Sequence, residues 1–95
     1  IDGGSKTFAG DYRVGGSAVG ESGFARAVDR PVFVDRLSEE HGMITTGADS
    51  VVLGEKIAWI PSHVCPCVNL ADEIYGVRDG LVEVVWRVEG RGKRT

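Results

Sequence analysis

Asp79-Gly80 is the feature that most narrows what this chain can fold into. It sits between Tyr75-Gly76-Val77-Arg78 and Leu81-Val82-Glu83-Val84-Val85-Trp86. A two-residue loop of this type needs positive φ at both positions, which Asp-Gly tolerates, so the segment from Ile74 to Val88 reads as a β-hairpin with a type I′ turn. Val82, Val84, Trp86 and Val88 alternate at period two, which places them on one face and predicts that this face is buried. Glu83 and Arg87 mark the other face.

The same punctuation recurs along the chain. Val32-Phe33-Val34 follows Pro31, Met43-Ile44-Thr45-Thr46 follows His41-Gly42, and Lys56-Ile57-Ala58-Trp59-Ile60 runs from near Gly54 to Pro61. Ser62 to Val68 alternates loosely and extends the strand series. Apolar residues never recur at helical spacing over about twelve positions. Phe24 to Val28, the best helical candidate, reads as one turn of helix or an irregular loop. With 14 glycines, short strands at intervals of roughly ten residues predict a mainly β fold, a small antiparallel barrel or sandwich. Gly15, Gly16, Gly20 and Gly23 predict an exposed loop over 15–23.

Length and composition exclude several classes. The 95 residues make one domain over 1–95. Hydrophobic content of 42% and charged content of 26% are those of a globular protein. The net charge of −3 leaves no electrostatic footprint for nucleic acid, and the basic run Arg87, Arg91, Lys93 and Arg94 reads as a solvated end. No apolar stretch approaches the ~18 residues of a membrane span, and no secretory leader is visible. Cys65 and Cys67 are too close for a useful disulfide, so reduced thiols and a cytoplasmic setting are expected. The opening Ile1-Asp2-Gly3-Gly4 reads as the end of an element, which points to a piece of a longer protein.

His63-Val64-Cys65 carries the most chemistry. On an extended strand, side chains at i and i+2 share a face with Cα atoms ~6.6–7 Å apart. An imidazole and a thiolate so placed can converge on one ion at ~2.0–2.3 Å, and sulfur with nitrogen favours zinc over magnesium or calcium. Two ligands make an open site. The same triplet is also, and more commonly, the pattern of a packed strand. Cys67 extends the series, but Pro66 bends it, and a small buried hydrophobe is the simpler reading of that residue. Ser38-Glu39-Glu40-His41-Gly42 is either a solvated turn or a place where Glu40 or His41 carries a proton. Gly3-Gly4-Ser5-Lys6-Thr7 fails the phosphate-loop spacing. Trp59 and Trp86 read as core packing, or else as the apolar face of a non-enzymatic β binding module.

Pro61-Ser62-His63-Val64-Cys65-Pro66-Cys67-Val68-Asn69-Leu70 resembles a stretch close to P-N-H-V-C-P-T-V-N-L in the D-serine dehydratase and D-threonine aldolase family. Ile1 to Phe8, Leu37 to Gly42 and Tyr75 to Lys93 resemble further family segments in the same order. The resemblance implies the C-terminal β domain of a parent that also has a pyridoxal-phosphate-binding (β/α)₈ barrel, as in alanine racemases. It implies that His63 and Cys65 hold a divalent metal, zinc or else manganese, which activates the β-hydroxyl of a D-3-hydroxy amino acid. It also implies Glu40 and His41 as groups near that metal, a homodimeric parent, and a fragment that is silent without the barrel and its cofactor lysine. Cysteine at 65 leans towards the zinc-dependent dehydratase branch. Cys67 stands where the family has threonine, and Ser62 where it has asparagine. A related amino-acid racemase with a vestigial metal pair is the alternative parent.

Overall fold

The computed structural model describes residues 1–12, 22–46 and 51–93. Most of the glycine-rich stretch expected to be a loop, and Arg94, lie outside the described residues.

A four-stranded antiparallel sheet forms the body of the fold. It is built from β1 (Ala25–Ala27), β2 (Phe33–Leu37), β3 (Gly42–Ile44) and β4 (Trp59–Pro61), in the order β3-β2-β1-β4. β1 is therefore a central strand, pairing Ala25 with Val34 on one side and with Pro61 on the other. The expectation of a helical turn or loop at Phe24 to Val28 is corrected here. Ala25 and Ala27 are buried and Arg26 between them is exposed, a period of two that suits a strand whose small side chains face the core.

Ala25, Ala27, Val32 and Val34 are almost fully buried, and Phe8 and Ala9 join them. Ile1, Phe24, Leu37, Ile44 and Trp59 pack around Phe8, Ala25 and Val34. Trp59 meets Phe8 edge to face, with ring centroids 6.3 Å apart. Phe8 belongs to α1 (Ser5–Phe8), a four-residue helix. Such a helix has no independent stability, and it is held from outside: Ser5 N–H donates to Ser38 O at 2.8 Å and Lys6 N–H to Glu39 O at 3.2 Å. The approach is close enough that a β-carbon on Gly4 would collide with both of those carbonyls.

The hairpin forms as expected, from β5 (Glu73–Arg78) and β6 (Leu81–Arg87). Asp79 has φ 52° and Gly80 φ 78°, the left-handed values of a type I′ turn. Its expected buried face is not found. Gly76 pairs with Val84 but Val77 with Val82, so Glu83 is an extra residue in β6. This bulge puts Val82 and Val84 on opposite faces. Val84 and Trp86 remain together over Gly76, where an added β-carbon would lie 2.6 Å and 2.9 Å from their atoms. Val82 and Trp86 are 57% and 51% exposed, so of the two tryptophans only Trp59 packs in the core. The described residues thus give a mainly β chain with two separate antiparallel sheets and no closed barrel.

Candidate functional site

The segment carrying His63 and Cys65 is not a strand. His63 is the last extended residue, with φ −137° and ψ 105°, and caps α2 (Val64–Asn69). The strand expected to run on through Ser62 to Val68 is therefore corrected, and with it the argument that 63 and 65 share a face by strand periodicity. Pro66 explains the difference. It occupies the third helical position, where its missing N–H costs no intrahelical hydrogen bond. Pro66 therefore starts a helix rather than merely bending a strand.

The two candidate donors consequently sit at the beginning of α2, and both residues are exposed. Cys65 is a free thiol. The backbone just before them is fixed to the sheet: Ser62 N–H donates to Phe24 O at 2.8 Å, and the Ser62 hydroxyl donates to Gly23 O at 2.6 Å. His63 Nδ1 meets the Asp11 carboxylate, on the segment that follows α1. Asp11 stood out in no sequence motif, and it lies 52 positions from His63.

Cys67 is half-buried, and its thiol donates to Thr7 O. Burial pushes its pKa above the ordinary thiol value, which favours the protonated form. Thr7 belongs to α1, so this contact seats α2 against α1. The other flank of α1 holds the Glu40 segment. Glu40 forms an exposed ion pair with Lys6. This hydrogen bond and the carboxylate's charge raise the Lys6 pKa. His41 closes a turn in which Ser38 N–H donates to His41 O at 2.8 Å and His41 N–H donates to the Ser38 hydroxyl at 3.1 Å.

α1 thus lies between the two predicted groups, Glu40 and His41 on one side and the start of α2 on the other. No hydrogen bond or ion pair joins them among the described residues. Nor do the described residues bring three or more His, Cys, Asp or Glu side chains into one metal-binding group. A separate cavity of about 730 Å³ opens between Phe8, Ile44, Trp59 and the 51–57 segment. It touches neither His63 nor Cys65.

A family profile described as "Putative serine dehydratase domain" matches residues 1–77. The D-threonine aldolase of an Arthrobacter species is 41% identical over 58 residues, 59% of this chain and 15% of that protein. The 3-hydroxy-D-aspartate aldolase of Paracoccus denitrificans is 38% identical over 58 residues, 61% of this chain and 15% of that protein. An uncharacterized protein of Mycobacterium tuberculosis is 35% identical over 75 residues, 76% of this chain and 56% of that protein. The chain therefore spans a small part of the two aldolases and about half of the mycobacterial protein. No solved structure matches it.

Proposed function

This chain belongs to the serine dehydratase domain family, and from that premise we propose that it is the metal-bearing C-terminal domain of a pyridoxal-phosphate-dependent D-amino-acid lyase. The observation that carries this reading is the family match across residues that include Pro61 to Leu70, with His63 and Cys65 both exposed at the start of α2. The named relatives act, by their names, on D-threonine and 3-hydroxy-D-aspartate. Both are D-amino acids with a hydroxyl on the β-carbon, which is the substrate class proposed here. They weigh towards aldol cleavage, against the lean that Cys65 gives towards dehydration.

The donor set suits zinc. A neutral imidazole and a thiolate are its preferred nitrogen and sulfur ligands, and a carboxylate already stands behind the imidazole. When bound, the metal would supply Lewis acidity at the substrate hydroxyl. The residues of this chain contribute the two donors and leave further coordination positions open. Glu40 and His41 are proposed as proton carriers near the substrate, and His41 is exposed and able to serve at its ring nitrogens. No residue of this chain is assigned to pyridoxal phosphate, which belongs to the proposed barrel.

The test is made on the full-length parent. Stoichiometric zinc, loss of turnover of D-threonine, D-serine or 3-hydroxy-D-aspartate on chelation, and loss of both metal and turnover in His63→Ala and Cys65→Ala support the reading. A racemase-like parent with a vestigial pair is the competing reading, favoured by the helical turn that removes the shared strand face. Sub-stoichiometric metal unaffected by His63→Ala would select it.

A further inference from the structure

We infer that Asp11 is a positioning residue that fixes the His63 ring with its proton on Nδ1, so that Nε2 is the nitrogen offered to a metal; the metal role rests on the reading above. Asp11 and His63 meet only because the chain leaving α1 runs beside the start of α2. The contact is between the Asp11 Oδ2 and His63 Nδ1. An ionised carboxylate only accepts hydrogen bonds, so a neutral His63 ring satisfies this contact in one tautomer, with Nδ1–H donating and the lone pair on Nε2.

The surroundings make the contact consequential. The backbone is held on one side of His63 by the two hydrogen bonds of Ser62 and on the other by α2. The freedom left to the imidazole is therefore its own side-chain rotation. Asp11 is the hydrogen-bonding partner that the structure gives the ring. Ligand histidines characteristically donate their second N–H to a carboxylate, a carbonyl or water, which sets both tautomer and ring orientation. Here the Asp11 carboxylate is in place beside the ring. An exposed contact of this kind would do little for stability, so the effect belongs to ring orientation rather than to folding.

Two measurements on the full-length parent, selectively labelled with ¹⁵N-histidine, test this. The first is long-range ¹H–¹⁵N correlation of the metal-free His63 ring at a pH where it is neutral. The Nδ1–H tautomer is expected in the wild type and in Asp11→Asn, whose amide oxygen still accepts. Asp11→Ala should shift the ring towards Nε2–H, with circular dichroism unchanged because Asp11 is exposed. The second is zinc affinity by competition with a chromogenic chelator, with His63→Ala as reference. Asp11→Ala should weaken binding roughly 10–100-fold.

A tautomer that Asp11→Ala leaves unchanged overturns the inference whatever the zinc result. Equal zinc affinity of wild type and Asp11→Ala, with His63→Ala abolishing it, overturns the metal-directed role of Asp11 and leaves the metal site standing. A tautomer that shifts in a full-length parent without His63-dependent zinc binding supports the ring-fixing role and overturns the metal reading instead.

Discussion

Replacing Gly23 with alanine tests how the sheet holds the candidate site. Gly23 is buried at the entrance to β1, and its carbonyl accepts the Ser62 hydroxyl just before His63. A β-carbon there would lie 2.7 Å from Val34 O, about 0.7 Å inside ordinary contact at 3.4 Å, and 3.3 Å from the Phe33 β-carbon. The obstacle is backbone in mid-sheet, so relief requires β1 to move away from β2. That movement stretches the hydrogen bond in which Phe24 N–H donates to Val34 O at 2.8 Å. Loss of one such bond costs about 0.5–1.5 kcal/mol, and overpacking a tight site about 1–3 kcal/mol. The lower chain entropy of alanine in the unfolded state offsets about 0.4–1 kcal/mol. The net expectation is a destabilisation of about 0.5–4 kcal/mol, centred on ~2 kcal/mol, against a total of roughly 5–14 kcal/mol for a chain of this length. Urea unfolding followed by tryptophan fluorescence and circular dichroism measures it. Gly10→Ala is the control, because a β-carbon there meets nothing within 4 Å. A Gly23→Ala midpoint equal to that of Gly10→Ala would refute the reasoning.

Alkylation by iodoacetamide at pH 8 should modify exposed Cys65 well before Cys67, whose thiol is half-buried, donates to Thr7 O and has a raised pKa through burial; equal rates by peptide mass spectrometry would contradict this. The native state holds the Cys67 proton more tightly than the unfolded chain does. Its contribution to stability is therefore full below the unfolded thiol value and lost as pH rises through the folded one, above 9.0. Cys67→Ala should flatten the fall in the urea midpoint between pH 8 and 10.5, and an identical slope would argue against it. Gly80→Ala forces an alanine to φ 78° and should weaken the hairpin by about 1–2 kcal/mol, seen as faster amide exchange in β5 and β6; unchanged exchange would show that the turn does not limit hairpin stability. Glu40→Gln should leave the unfolding midpoint within error, since its pair with Lys6 is exposed, while lowering turnover of the full-length parent. Unchanged turnover would remove Glu40 from the chemistry.

What the sequence made legible follows the range of the interaction responsible. Asp79-Gly80 specifies its turn through the φ preferences of two adjacent residues, and the turn is there. Val34 announces a core strand by its own side chain and those beside it. Strict alternation presumes an unbroken ladder, and the extra residue at Glu83 breaks it at Val82, while Trp86 keeps the face of Val84 over Gly76 and is still 51% exposed, because alternation marks a shared face and not what packs on it. β1 is hard to see in the sequence because Ala25 and Ala27 are too small to register as an apolar stripe, although the exposed Arg26 between them supplies the alternation. At the site, Pro66 suits a bend in a strand and a first helical turn equally well by its local geometry, and the structure has the helical turn. Asp11 was invisible because nothing local connects it to a ring 52 positions away.

The separate pieces of the candidate site share one support. The turn carrying Glu40 is tied to α1 through Ser5, Lys6 and the Lys6 side chain. α2 is tied to it through Cys67 and Thr7, and Asp11 follows it by three positions. A four-residue helix supplies no stability of its own, so these attachments define its position as much as it defines theirs. Phe8 anchors the assembly from below, buried against Ala25, Val34 and Trp59. The local sequence therefore proposes which side chains carry chemistry, while their relative placement depends on seating one short helix. A substitution that disturbs that seat, as at Gly4, should move Glu40 and His63 together even though the two side chains do not touch.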